Sequence, residues 1–350
     1  MKKKFIMGIG IALATMFIFS GCGNKTSAST NKAKKDLVVY TPLEEDQVNE
    51  YLQGYKKMHP EIDVKIVRDS TGVITSKLIA EKDNPKADLV WGLAATSLLT
   101  LDNKNMLEPY APKGVENIQD KFKDKGDTPK WVGIDVFEAG ITVNKEELKR
   151  KNIPVPNSFE ELTRPEYKGL ITMPNPASSG TGYLTVAGML QVFGEEKGWS
   201  YLDKLHENIA NYTHSGSKPA VLSAKGEYPI GISLAYRGIK EKTKGSPVEV
   251  IFPKEGLPWD LEANALIKKS DIKSEAKEFL DWAISDDIMK VYQKNYPIVS
   301  IKGDFSLPNE YPKDALDKLV KNDFVKSAKD REGTLDKWTK KYDSKSEPKK

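Results

Sequence analysis

A single cysteine, Cys22, in a chain of 350 residues excludes a disulfide framework and a cysteine-built metal cage. The three histidines, His59, His206 and His214, have no metal-ligand spacing, so the sequence gives no support to a zinc site. G-x-S-x-G, H-E-x-x-H and Walker A patterns are absent. No internal repeat recurs, which excludes solenoids and propellers. A basic surplus is also missing where a nucleic-acid surface would need it. The formal net charge is +4, but it is carried by Lys2, Lys3 and Lys4 and by Lys25, Lys32, Lys34 and Lys35. From Leu37 onward 47 basic residues face 49 acidic ones, a net of −2. What is present is 39% apolar and 30% charged residues, with 11 Phe, 14 Tyr and 6 Trp. That length and composition supports two domains with cores of their own and excludes wholesale disorder.

The first residues form an export pattern. Lys2, Lys3 and Lys4 give a positive start, and Phe5 to Phe19 is an uncharged apolar run too short to cross a bilayer comfortably. It ends in Phe19-Ser20-Gly21-Cys22, which resembles the lipobox of bacterial lipoproteins, although leucine is commoner where Phe19 stands. Residues 1–21 are thus expected to be a lipoprotein signal peptide, with Cys22 as the lipidated residue. Residues 22–36 are polar, rich in Ser, Thr and Lys, and read as a tether. The expected location is outside the cell, anchored by lipid to the outer face of the membrane.

Beyond the tether, short β-branched runs alternate with amphipathic stretches. Strands are expected at Leu37–Thr41, Val64–Asp69, Ala87–Gly92, Trp131–Asn144, Gly169–Pro174, Tyr228–Ser233, Val248–Pro253 and Ala263–Lys268. Helical patterns cover 44–58, 74–83, 94–103, 180–193, 195–207, 218–225, 274–285, 286–295 and 313–319. The alternation predicts an α/β protein with mostly parallel sheets. Trp131–Asn144 is too long for one ordinary strand. It is expected to cross between two lobes, with a return crossing near Phe252–Asn264. The first lobe would be discontinuous, 37–135 and 260–350, and the second would span 136–259. The charged C-terminal stretch should pack outside, and Asp343–Lys350 should fray.

Three Gly/Ser/Thr clusters follow strands and precede helices: Ser70-Thr71-Gly72, Ser178-Ser179-Gly180-Thr181-Gly182 and Ser215-Gly216-Ser217. Free backbone N–H groups, the positive end of a helix dipole and hydroxyl donors at such loops favour a small oxyanion. Taken singly, each cluster is equally well explained as a helix cap. Tyr40, Trp91, Tyr236, Asp260 and Glu262 lie at strand ends or at the return crossing. Aromatic faces beside a carboxylate suit an ammonium group, although aromatics of this kind commonly fill cores. Ser215-Gly216-Ser217-Lys218 also matches S-x-x-K, and Lys244-Gly245-Ser246 faintly echoes K-T-G, but no S-D-N lies between them. A secreted acyltransferase is therefore a remote alternative.

Several blocks resemble the 2-aminoethylphosphonate-binding proteins of ABC importers, within the type 2 solute-binding group: YTPLEEDQ (40–47), RDSTGVITSKL (68–78), DLVWGLAATSLL (88–99), MPNPASSGTGYLTV (173–186), LHENIANYTHSGSKP (205–219), GEYPIGISLAYRG (226–238) and FPKEGLPWDLEA (252–263). The resemblance implies a two-lobe type 2 periplasmic-binding-protein fold, each lobe a mixed sheet flanked by helices, joined by two crossing segments. It implies no catalysis and no cofactor, and as partners a small ligand and a permease with its ATPase. By this resemblance Ser70, Thr71, Ser178, Ser179, Gly180, Thr181, Ser215 and Ser217 would hold the phosphonate. Tyr40, Trp91, Tyr236, Asp260 and Glu262 would serve the aminoethyl end. A monomer is expected. The related ferric-ion binders carry tandem tyrosines where this chain has only Tyr236 in Ser233–Arg237, which argues against iron. Ferric ion, phosphate or another small anion remains the alternative ligand, and the role of Arg237 is left open between ligand contact and a bridge between lobes.

Overall fold

The computed structural model describes residues 34–303, 307–315 and 317–348. The signal-like segment, Cys22 and the tether through residue 33 lie outside these. Among the described residues no helix is long and apolar enough to cross a membrane. In chain order the elements begin with β1 (Lys35–Thr41), α1 (Glu45–Met58), β2 (Ile62–Arg68), α2 (Thr71–Ala80), β3 (Leu89–Ala94), α3 (Ala95–Asn103), the short β4 (Leu107–Glu108) and the long β5 (Val132–Asn144). They continue with α4 (Lys145–Arg150), β6 (Ile171–Pro174), α5 (Gly180–Phe193), α6 (Glu195–Asn208), β7 (Ile209–Thr213), α7 (Lys218–Ala224), β8 (Ile230–Leu234), α8 (Ala235–Thr243) and β9 (Val248–Ile251). The last are β10 (Trp259–Ile267), α9 (Ser274–Trp282), α10 (Asp286–Tyr292) and α11 (Phe324–Tyr342).

Local chemistry accounts for the elements that frame the site. Helix α1 starts with a capping box between Glu44 and Gln47 and buries Val48, Tyr51, Leu52 and Tyr55, one stripe at helical spacing. Helix α5 is buried on every side from Gly180 to Met189, as its uncharged sequence requires. All thirteen residues of β5 are buried, including Asp135 and Glu138.

The strands run in the order β2-β1-β3-β10-β5-β8-β6-β7, with β4 beside β10 and β9 beside β5. β1 is parallel to β2 and β3, and β6 is parallel to β7 and β8. The centre is antiparallel, because β10 pairs with β3 and β5, and β5 pairs with β8 and β9. The mostly parallel sheet expected from the alternation is therefore corrected to a mixed one. The reason is that the chain returns through β10 from a long excursion, against the direction of its neighbours. Strand β5 changes partners midway: Val132–Glu138 pairs with β10, and Ala139–Asn144 with β8 and β9. Two apolar cores lie on either side of that change. One gathers β1, β3, α1, α9 and α10 with the first half of β5; the other gathers β6, β8 and α6 with the second half. The molecule is a two-lobe α/β protein.

Some expectations do not match. The described residues of 313–319 form turns held by bonds such as Lys318 N–H to Asp314 O (3.1 Å) rather than the expected helix. Strand β7 and helices α4 and α8 went unread. Helix α11 places Trp338 and Tyr342, four residues apart on one face, in the second core, with the Trp338 ring edge-on to Tyr212 at 4.8 Å. Residues 260–350 are thus not packed solely with the first core. Nor does the described part of Asp343–Lys350 fray. The Glu347 N–H donates to Tyr212 O (2.9 Å), Asn175 Nδ2 donates to Ser346 Oγ (2.9 Å), and the Glu347 carboxylate accepts from His214 N (3.1 Å) and pairs with Lys218.

Trp338 is 1% exposed. Trp338→Ala is therefore expected to cost about 3–5 kcal/mol, read as a lower urea midpoint. An unchanged midpoint would mean that α11 is dispensable to the second core.

Candidate functional site

The three Gly/Ser/Thr loops, far apart in sequence, meet at a single cavity of about 40 Å³. About 10–15 Å³ admits one water, so the space suits a small solute. Ser70 and Thr71 enter from the start of α2, Ser179, Gly180 and Thr181 from the start of α5, and Gly216 from the loop before α7. The loops touch. The Gly72 N–H donates to Ser178 O at 2.8 Å, and a Cβ on Gly72 would stand 2.1 Å from Ala177 O. A Cβ on Gly216 would stand 2.3 Å from Thr181 Oγ1. Only glycine permits these approaches.

Part of the cavity wall favours an anion. Ser179 caps α5, its Oγ accepting from Gly182 N at 3.3 Å. The first-turn N–H groups of Gly180 and Thr181 have no helical acceptor, and the fourteen-residue helix adds its positive end. Arg68, at the end of β2, supplies a guanidinium. Its Nε donates to Leu43 O at 2.8 Å and its Nη2 lies 3.3 Å from a Glu44 oxygen.

Acidic side chains share the cavity wall, Glu44 directly beside Arg68. Glu44 and Glu262 line the cavity, with Gln47 and Phe137 beside them. Gln47 Nε2 donates to the Tyr296 hydroxyl (3.0 Å), which donates to Glu262 Oε1 (3.2 Å). Glu262 Oε2 is buried and has no hydrogen-bond partner among the described side chains other than Asp135. Asp135 is its cross-strand neighbour in the β5–β10 pairing and is fully buried. Burial pushes the Glu262 carboxyl up to about 8, and burial reinforced by Glu262 raises Asp135 well above the carboxylate range.

Several residues expected at the site lie elsewhere. Tyr40 is in the first core with its hydroxyl on Glu81 (3.0 Å). Trp91 is fully buried, and its Nε1 donates to the Tyr292 hydroxyl (3.0 Å). The Tyr236 hydroxyl accepts from Lys240 (2.8 Å). Asp260 accepts from Thr96 Oγ1 (2.6 Å), and its carboxyl is raised to about 6 by burial. These four side chains do not line the cavity: Tyr40, Trp91 and Asp260 lie on strands, whose side chains alternate between opposite faces, and Tyr236 lies in the first turn of α8. Ser178, Ser215 and Ser217 are not among the lining residues: Ser178 Oγ bonds His214 O (3.1 Å), and the hydroxyls of Ser215 and Ser217 bond each other (2.9 Å). Of the S-x-x-K residues, Lys218 pairs with Glu347 and the Ser215 hydroxyl bonds Ser217. Arg237 lies 3.0 Å from Glu241 and 3.6 Å from Asp46 of α1, a bridge between elements and not part of the cavity wall.

Arg68, Glu44, Gln47, Phe137 and Gly216 are wall residues that the sequence reading did not single out. Arg68 immediately precedes Asp69-Ser70-Thr71, and Glu44 sits in the first strand-to-helix loop, so treating every such loop alike would have found both. Asp135 and Glu138 interrupt an otherwise apolar strand, a signal also left unused. Among the described residues no group of three or more His, Cys, Asp or Glu is placed to hold a metal.

The raised Glu262 carboxyl carries a stability sign. A group with a higher value folded than unfolded stabilises fully below the unfolded value, and that contribution is lost as pH rises through the folded one. Between about pH 5 and 8 the ligand-free protein should therefore lose stability that Glu262→Gln does not lose. Thermal unfolding of both proteins across that range checks it; parallel curves would contradict the assignment.

Comparison with known proteins agrees with this geometry. The model of the family described as bacterial extracellular solute-binding protein matches residues 84–328. A probable ABC transporter periplasmic-binding protein of Sinorhizobium fredii, y4fP, is 28% identical over 312 residues, which is 86% of this chain and 82% of its own. The periplasmic binding protein AfuA from Actinobacillus pleuropneumoniae, solved with exogenous fructose-6-phosphate bound, is 28% identical. It aligns with a TM-score of 0.81 over 89% of this chain and 99% of its own. Iron-bound HitA from Pseudomonas aeruginosa, 19% identical with a TM-score of 0.73 over 87% of this chain and 99% of its own, shares the fold. The two-lobe periplasmic-binding-protein fold implied by the sequence blocks is the fold of this molecule, and the chain belongs to the bacterial extracellular solute-binding protein family.

Proposed function

We propose that this protein is the solute-binding component of an ABC importer and that it captures 2-aminoethylphosphonate. The observation that carries this reading is that one small cavity is lined both by anion-favouring donors and by the carboxylates of Glu44 and Glu262. Arg68, the hydroxyls of Ser70, Thr71, Ser179 and Thr181, and the N–H groups at the start of α5 would hold the phosphonate oxygens. Glu262 and Glu44 would face the ammonium. Ser178, Ser215 and Ser217 would shape the loops. The change of partner within β5 and the return through β10 supply the two crossings about which the lobes would close, with lobe 1 as 37–135 plus most of the chain from 260 and lobe 2 as 136–259. Lipid on Cys22 would hold the protein at the outer face of the membrane, where the liganded monomer would deliver its cargo to a permease driven by an ATPase. This protein itself makes and breaks no bond.

A second reading takes a sugar phosphate, since the 28%-identical AfuA was solved with fructose-6-phosphate. The same cradle would take the phosphate and the carboxyls would accept from sugar hydroxyls. The cavity of about 40 Å³ favours the smaller zwitterion. Ferric iron is supported only by likeness of fold, and no tyrosine is among the residues lining the cavity.

Calorimetric titration with 2-aminoethylphosphonate, fructose-6-phosphate, inorganic phosphate and ferric citrate separates these ligands. One-to-one binding of the aminophosphonate, with the others far weaker, is expected. Preference for the sugar phosphate would replace the ligand and leave the importer role standing. Arg68→Ala should weaken the aminophosphonate by about 10- to 150-fold, the worth of a charge-assisted bond of about 1.5–3 kcal/mol. An unchanged affinity would remove Arg68 from the site.

A further inference from the structure

We propose that Asp135 and Glu262 share one proton while the cavity is empty, and that the ammonium of the ligand takes that proton's place, so that capture releases a proton to solvent. The inference rests on the ligand reading above and adds to it a proton exchange at the acidic pair.

The geometry forces the sharing. Asp135 and Glu262 face each other across the β5–β10 ladder, one fully buried and the other 8% exposed. Two ionised carboxylates side by side in such a place would each lose hydration and repel the other. One proton between them removes one charge and makes a carboxyl-to-carboxylate hydrogen bond.

The surroundings offer no other remedy. β5 adds another acid, Glu138, itself beside the buried Tyr311. Tyr296 donates to Glu262, and Tyr51 of α1 and Tyr292 of α10 face Asp135 as neutral phenols raised by burial. Glu44, at the entry to α1, is a further negative charge. The cation among the cavity-lining residues is Arg68, and it is already beside Glu44 at 3.3 Å. The acidic pair is thus short of one positive charge, and Glu262 is the member of the pair that lines the cavity. The raised titration of both carboxyls agrees with this shortage.

An ammonium placed at Glu262 supplies the missing charge. It donates hydrogen bonds and allows both carboxyls to ionise, so the shared proton leaves for water. Since binding releases a proton, affinity rises with pH by up to about tenfold per unit below the titration of the pair and levels off above it.

The test is calorimetry of the intact protein with 2-aminoethylphosphonate near pH 7, in buffers of different ionisation enthalpy, for the wild type and for Glu262→Gln and Asp135→Asn. The phosphonate's own second ionisation contributes equally to all three proteins, so the readout is the difference between them. The wild type should release up to one proton per ligand more than either variant. Infrared spectra of the ligand-free wild type should also show a protonated-carboxyl band that Glu262→Gln loses. Saturable binding with equal proton release in all three proteins, or absence of the band, overturns the exchange and leaves the binding function intact. Failure of 2-aminoethylphosphonate to bind overturns both the ligand and the exchange.

Discussion

Strand β5 must satisfy two sheets along one run of thirteen residues, and much of the molecule follows from that. Its first half completes the ladder of β10 and its second half that of β8 and β9. A backbone so placed is buried throughout, because sheet and helices cover it on both sides of the change. Burial of this kind is easily met by Val, Ile and Phe. It is not easily met by Asp135 and Glu138, whose carboxyls are carried into the interior by residues that cannot move without breaking the β10 ladder. The joint between the lobes is therefore also where the protein keeps its least solvated acids.

The cavity lies against that joint and inherits its chemistry. From one side the loops before α2, α5 and α7 bring hydroxyls, N–H groups and Arg68; from the other, β10 presents Glu262 with Asp135 behind it. An anion there needs no net positive protein, because local dipoles and one guanidinium suffice, which is why a body of net charge −2 is compatible with it. Arg68 is engaged by Glu44, not by the Asp135–Glu262 pair.

Much of the architecture was legible in the sequence, since alternation of β-branched runs with amphipathic stretches reports an α/β fold and the length of Trp131–Asn144 reports a crossing. The anion-favouring loops were legible for a similar reason: their chemistry is local, a glycine and hydroxyls at the start of a helix. The aromatic half of the expected site was not. Tyr40 and Trp91 lie on β1 and β3, but period two sends alternate side chains to opposite faces, and sequence does not say which face is the crevice. Trp338 and Tyr342 show the same limit, because their spacing declares a buried face without naming the core that receives it.

The sequence by itself determined the elements, the mixed polar loops, the near-neutral body and the acids set into apolar strands, because each depends on neighbours within a few positions. Only the tertiary structure decided which of these meet. It brought Ser70, Ser179 and Gly216 to one point, put Arg68 rather than Arg237 in the wall, set Asp135 opposite Glu262 and sent Asp260 to Thr96. The physical reason is strand register and loop contact. A shift of one residue in the β5–β10 pairing would turn each side chain to the other face, and nothing local to either strand records that choice.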